Sequence, residues 1–137
     1  MDAVILSFVS GLPILLLHFI LSLMMLALGA VIYNIVTPYH EIDLIKQGNI
    51  AAAVSFGGVL VGLALPLAVN MAGSVNAFDI LVFGGVAIIL QLLAYRLTDV
   101  VLKDLPERIK SGEISAAITL VALKMSISVI NAAAVSG

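Results

Sequence analysis

The sequence predicts an all-α membrane protein of four transmembrane helices, built as two tandem two-helix repeats of parallel topology. Three observations carry this prediction. The 137 residues are 63% hydrophobic and 10% charged, with mean hydropathy +1.27, whereas about a quarter of the residues of a soluble domain are charged. The apolar residues fall into four runs, each long enough to supply the roughly 20 residues that cross a bilayer as a helix. The chain also writes one motif twice: Ile45-Lys46-Gln47-Gly48-Asn49-Ile50-Ala51-Ala52-Ala53 returns 64 residues later as Ile109-Lys110-Ser111-Gly112-Glu113-Ile114-Ser115-Ala116-Ala117, with six of nine positions identical. Each copy is a polar run, a glycine and then an apolar run, which is a polar connection feeding a membrane helix.

Composition excludes several classes. A net charge of −2, with no basic stripe for phosphates to follow, argues against nucleic acid. The absence of cysteine removes disulfides, thiolate nucleophiles and thiolate metal sites. Met1-Asp2 lacks a positive n-region and no small-x-small site follows the first apolar run, so that run is expected to stay as an uncleaved membrane helix.

The first apolar stretch, residues 3–36, exceeds one perpendicular crossing of a core about 30 Å thick. Pro13 is the expected joint, since proline suits a first helical turn and disfavours an interior. The first helix is therefore expected over residues 13–36, with 3–11 as an interfacial or helical extension, and Thr37-Pro38 ends it. Residues 39–48 form a polar connection. The second helix is expected over 49–69 and an uncharged turn over 70–76. The third runs over 78–97 with a charged projection, 103–112 is a second polar connection, and the fourth helix covers 113–135. Together they make a single domain, 1–137, with repeat halves 1–73 and 74–137.

Five of the six positive residues (Lys46, Arg96, Lys103, Arg108, Lys110) lie in or beside the two polar connections. The positive-inside rule places those connections in the cytoplasm and both termini outside. Tyr33, Tyr39 and Tyr95 fall near the same boundary, where amphipathic rings are stable.

The residues Thr37-Pro38-Tyr39-His40-Glu41, then Gly48 to Ala53, Gly57-Gly58 with Gly62, and Leu65-Pro66-Leu67 resemble the bacterial inner-membrane family catalogued as domain of unknown function 350, which includes the YjfL-like membrane proteins. The resemblance covers essentially the whole chain. It implies a small multi-pass protein of the bacterial cytoplasmic membrane and points toward envelope stress or polyamine metabolism. It supplies no catalytic or ligand-binding residues. At Glu113 (for Asn49) and Lys124 (for Leu60) the second copy departs from the first, so the halves differ in function.

Lys124 is the sharpest candidate for chemistry. It lies about 16 Å into the fourth helix, where a lysine costs about 2.5–3.5 kcal/mol and faces protein or water. Ser128 and Asn131 follow it at i+4 and i+7, making a polar stripe. This stripe is read either as an anion-attracting or proton-linked site, or as a lysine that is paired or snorkelling; Asp79 is the acid expected to pair with it. His18 is read as a proton-relay candidate, or else as a packing hydrogen bond. Gln91 is expected to bond between helices. Gly48, Ala52, Ser55, Gly58 and Gly62 recur at helical spacing as a close-packing face, and Pro66 frees the carbonyl of Gly62 for packing or for ion coordination. The charged connections read as solvated faces.

No phosphate loop, nucleophile elbow, His-Glu-x-x-His or paired intramembrane carboxylates occur, so no enzyme, catalytic residue, metal or cofactor is expected. Two functions follow. The first is an oligomeric channel- or transporter-like protein for ions or small solutes, a homo-oligomer because four short helices enclose little water. The alternative is a non-catalytic membrane scaffold whose residues 37–48 and 98–113 recruit cytoplasmic envelope-stress partners.

Overall fold

The computed structural model describes residues 1–37 and 39–137. These form α1 (Asp2–Val36), α2 (Glu41–Lys46), α3 (Ile50–Gly73), α4 (Ala77–Val101), α5 (Asp104–Lys110) and α6 (Ile114–Ser136). The long helices α1, α3, α4 and α6 each have the length and hydropathy to cross a membrane, and the chain is an integral membrane protein. Among the described residues their outer faces carry the large apolar side chains, such as Leu23, Phe83, Ile89 and Ile130, while Gln91, Lys124 and Ser128 point inward. This inversion suits a lipid solvent, which accepts apolar faces and rejects polar ones.

Two expectations change. The first helix has no joint at Pro13; it is continuous from Asp2 to Val36 with the proline inside. Proline removes a single amide donor, and a membrane helix tolerates that loss in its otherwise intact ladder. Pro38, read as part of the helix stop, lies outside the described residues; the helix ends at Val36, and the Thr37 hydroxyl donates to the Tyr33 carbonyl at 2.6 Å. The polar connections, in turn, are not open loops but the short helices α2 and α5.

The doubled motif now has a physical explanation. In each copy a short helix stops on a glycine in the left-handed region, Gly48 at φ 88° and Gly112 at φ 92°, where a side chain would be strained. The Gly48 amide donates to the Ile45 carbonyl and the Asn49 amide to that of Leu44; Gly112 and Glu113 donate in the same way to Ile109 and Arg108. Both are Schellman stops, each followed at once by the next membrane helix. Asn49 then does two further things. Its side-chain oxygen accepts from the Ala52 amide at 3.0 Å, capping α3, while its side-chain NH₂ donates to the Ile109 and Lys110 carbonyls at 3.1 and 3.2 Å. One residue thus ties the start of α3 to the end of α5. In the second copy Glu113 makes no such cap and instead accepts from the exposed Arg108 at 2.6 Å.

At the centre lies α3, packed most closely against α6, with α1, α2 and α4 around it. The α3–α6 pair runs parallel from the motif end. Ala51, Ala52, Ala116 and Ala117 are all buried with Ile109 and Leu120, and small side chains let the two backbones approach. Farther along, the space a Cβ on Gly58 would need is filled by Val121, and on Gly62 by the Tyr95 hydroxyl. The buried face of α3 (Ala51, Ala52, Ser55, Val59, Leu63) matches that of α6 (Ala116, Ala117, Leu120, Lys124, Ser128) at an offset of 65 (116 − 51). Sequence register pairs Lys124 with Leu60; in the folded chain its buried counterpart is Val59.

Helices α1 and α4 also run parallel, with Met25 against Gly84 and Gly29 against Ile88. That register sets the start of α4 beside His18. The preceding about sixteen residues of α1 extend roughly 24 Å past it, at 1.5 Å per residue.

Candidate functional site

A buried charged cluster forms where α1, α2, α3, α4 and α6 converge near the motif end. Because Cα–Cβ bonds tilt toward a helix N-terminus, Lys124 leans back along α6 toward that end. Its ammonium lies 3.0 Å from Oδ1 and 3.3 Å from Oδ2 of Asp99, on the last turn of α4. The lysine is 1% exposed and the aspartate 5%. The rings of Tyr33 and Tyr95 flank the same ammonium, their centroids 5.4 and 5.2 Å away, within the range of a cation–π attraction. The two rings meet edge to face at 6.1 Å, so α1 and α4 each supply one wall of an aromatic box.

Glu41, the first residue of α2, is fully buried beside this box. Its Oε1 accepts from the Tyr33 hydroxyl at 2.6 Å and from the Ser55 hydroxyl at 3.2 Å. Its Oε2 is buried without a partner among the described residues, as is the hydroxyl of the neighbouring Tyr39. Loss of solvent pushes the Glu41 carboxyl above the usual carboxylate range, against the opposing Tyr33 hydrogen bond and the positive charge of Lys124. Burial and the nearby Glu41 charge raise the Tyr39 phenol far above its ordinary value, so it stays neutral.

A cavity of about 340 Å³ opens next to the cluster, lined by Tyr39, Arg96, Asp99, Lys103, Glu107 and Lys110 among others. Asp99 is therefore both the partner of the buried lysine and part of the wall of an accessible vestibule. Deeper along α6 the polar stripe continues. The Ser128 hydroxyl donates to the Gly62 carbonyl at 2.5 Å, the carbonyl that Pro66 leaves without its helical amide donor. Asn131 donates to the Ala87 carbonyl at 3.0 Å and to Gln91 Oε1 at 2.9 Å. Toward the opposite end Asn70 donates to the Ile80 carbonyl at 3.3 Å. Buried polar groups thus run in a file along the bundle interior.

Of the residues singled out in the sequence, Lys124, Ser128, Gln91 and Asn131 come together along this file. Asp79 does not. It is twenty residues from Asp99 on the same helix, roughly 30 Å away, beyond the reach of any lysine. There it accepts from the Val75 amide at 3.3 Å while its own amide is capped by Asn76 at 3.0 Å, a helix-start arrangement. His18 is half-buried on α1, some fifteen residues or about 22 Å from Tyr33 along the helix. Gly48 does not serve in helix packing either: it is exposed, and a Cβ there would meet nothing within 4 Å. Ala52, Ser55, Gly62 and Pro66 are buried on α3 and Gly58 is half-buried.

Glu41 and Asp99 are the residues the sequence misplaces, since both read as parts of solvated charged connections. One signal was available. A lysine in mid-span leans toward its helix N-terminus, which points to acids at the motif end rather than at Asp79.

The family model described as Domain of Unknown Function (DUF350) matches residues 7–135. The chain is also similar to the UPF0719 inner membrane protein YjfL of Escherichia coli (strain K12), 29% identical over 116 residues, covering 85% of this chain and 88% of the relative. The protein of the same name from Escherichia coli O157:H7 matches with the same identity and coverage. No solved structure matches the chain.

Proposed function

The chain belongs to the DUF350 family, and from that premise we propose that it is a channel- or transporter-like protein of the bacterial cytoplasmic membrane, acting on ions or small solutes as a homo-oligomer. The site of action is the cluster of Glu41, Asp99 and Lys124. One observation carries the reading: an ion pair sits inside the bundle at 3.0 Å while its aspartate also borders a vestibule. Buried charges in a membrane are costly and mark ion or proton pathways, and replacing such a pair by apolar residues would often be neutral or stabilising. Stability alone therefore gives little reason for it. The polar file through Ser128, Gln91 and Asn131 supplies interior hydrogen-bonding groups beyond the cluster. The localisation rests on the inner-membrane relatives, and the placing of the motif end in the cytoplasm rests on its positive residues. Four short helices enclose little water, so in this reading flux runs through or beside an oligomer.

Flux of protons, monovalent ions and small organic cations into proteoliposomes tests the reading. Wild type is expected to exceed empty liposomes, and the Lys124→Met/Asp99→Asn double variant, which keeps the cluster neutral and paired in size, to fall to background. Background flux of every solute with wild type would sink it. A scaffold role has one observation in its favour, the exposed ion pairs of α5, in which Arg108 meets Asp104 and Glu113 and Lys110 meets Glu107. Partner capture that is lost on neutralising residues 103–113, with no flux from wild type, would favour it instead.

A further inference from the structure

The cluster holds two carboxyl groups and one ammonium, and the three differ in how they are satisfied. Asp99 has a cation in contact: the ammonium donates to Oδ2 at 3.3 Å and lies at ion-pair distance, 3.0 Å, from Oδ1, which makes no hydrogen bond among the described residues. Glu41 has only neutral neighbours as donors: Tyr33 and Ser55 bond to Oε1 and the Tyr39 hydroxyl lies beside the carboxyl, while Oε2 is buried and makes no hydrogen bond of its own among the described residues. An ionised carboxylate with one oxygen bare and no cation in contact is a costly buried state. A proton on Oε2 removes the charge and leaves both hydroxyl bonds to Oε1 intact.

We propose that Glu41 is a proton-binding site that exchanges its proton with the vestibule past Tyr39, and that on release Lys124 is shared between Asp99 and Glu41. This rests on the transport reading and deepens it by naming the proton as the transported or coupling ion. The groups facing Glu41 are Tyr33 from α1, Tyr39 from the segment after α1, Ser55 from α3, and Lys124 from α6, with Asp99 of α4 behind the lysine. Lys124 is the only cation in this set. On release the O–H bond of the Glu41 carboxyl breaks, its electron pair stays on the carboxylate, and the proton passes to water in the vestibule. The cluster then carries two negative groups and one positive. The aromatic box of Tyr33 and Tyr95 holds the ammonium by its ring faces, a contact that does not depend on which carboxylate it faces, so the lysine can turn between them at little cost. Tyr39, 5% exposed and lining the vestibule, separates Glu41 from water, and its hydroxyl, beside the Glu41 carboxyl and without a hydrogen bond of its own among the described residues, is the group through which a proton would pass.

Infrared spectroscopy of the full chain in lipid nanodiscs reads the proton directly. At neutral pH a protonated-carboxyl C=O band is expected in wild type, absent in Glu41→Gln and retained in Asp99→Asn. No such band in wild type, or a band lost in Asp99→Asn and kept in Glu41→Gln, overturns the proposal. Should Glu41→Gln fail to fold, Ser55→Ala replaces it: removing a donor to the ionised form moves the band's midpoint to higher pH, and an unmoved midpoint counts against Glu41. A band that behaves as expected without proton flux in proteoliposomes refutes the transport reading and leaves the proton site standing.

Discussion

Replacing Lys124 by methionine keeps the volume of the side chain and removes the one buried cation among the described residues. Two buried carboxyl groups then remain, Asp99 and Glu41, with no positive charge between them. Breaking a buried ion pair by deleting one partner costs about 3–5 kcal/mol. The geometry places Lys124→Met at the upper part of that range, since the ammonium serves both oxygens of Asp99 and two aromatic faces. Asp99→Asn is expected near the lower end, because the ammonium keeps its aromatic box and Glu41 is within its electrostatic reach. In the double variant the asparagine and methionine leave no uncompensated charge from the pair, so its loss is smaller than the sum of the singles by about 2–3 kcal/mol, the upper part of what contacting residues show in double-mutant cycles. Unfolding of the purified protein in mixed micelles with increasing anionic detergent measures all four corners of the cycle. Additivity within about 0.5 kcal/mol would refute the pairing of Lys124 with Asp99.

Gly62→Ala places a methyl group on the Tyr95 hydroxyl; it should separate α3 from α4, lower the thermal midpoint in detergent by several degrees, and do so far more than the same change at Gly57, where a Cβ meets nothing within 4 Å. Asn49→Ala loses the α3 cap and both bonds to the end of α5, an expected cost of about 1–2 kcal/mol seen in the same unfolding assay, with Asn49→Asp restoring the cap but not the bonds to α5. Stability should fall as pH rises above the ordinary carboxylate value near 4.5, because folded Glu41 holds its proton more tightly and the unfolded chain binds fewer protons over that interval. The decline ends once pH passes the folded value, and a Glu41→Gln profile without this decline is the accompanying expectation.

The four spans were legible because each is an apolar run of at least bilayer length, a signal that survives any arrangement of the helices. The short helices were not, since α2 and α5 have six and seven residues rich in charge, and neither length nor periodicity marks them before packing does. Their stops carry a visible mark, the glycine repeated at Gly48 and Gly112, which takes a positive φ in both copies. The polar stripe of Lys124, Ser128 and Asn131 was legible from helical spacing, as all three share one face of α6. Its partners were not, because pairing depends on which helix lies opposite and on the direction in which a long side chain leans. The lean of the lysine toward its helix N-terminus favours an acid at the motif end over Asp79, but only the fold selects Asp99 there, at 3.0 Å, and leaves Asp79 at the far end of the same helix. Glu41 was hidden for a different reason. Its neighbours in sequence are polar, and its burial comes from α2 packing on α3, with Tyr33 of α1 and Ser55 of α3 against its carboxyl.

A buried site of the kind described requires that the Lys124–Asp99 ion pair form in a bilayer. Solid-state NMR of the full chain in lipid, with lysine ¹⁵Nζ and aspartate ¹³Cγ labels, measures this through their dipolar coupling. An ammonium 3.0 Å from Oδ1 of Asp99 predicts one strongly coupled lysine nitrogen, whose coupling disappears in Asp99→Asn while the signal itself remains. A Lys124 resonance assigned by Lys124→Met that shows no coupling to aspartate in wild type would contradict it.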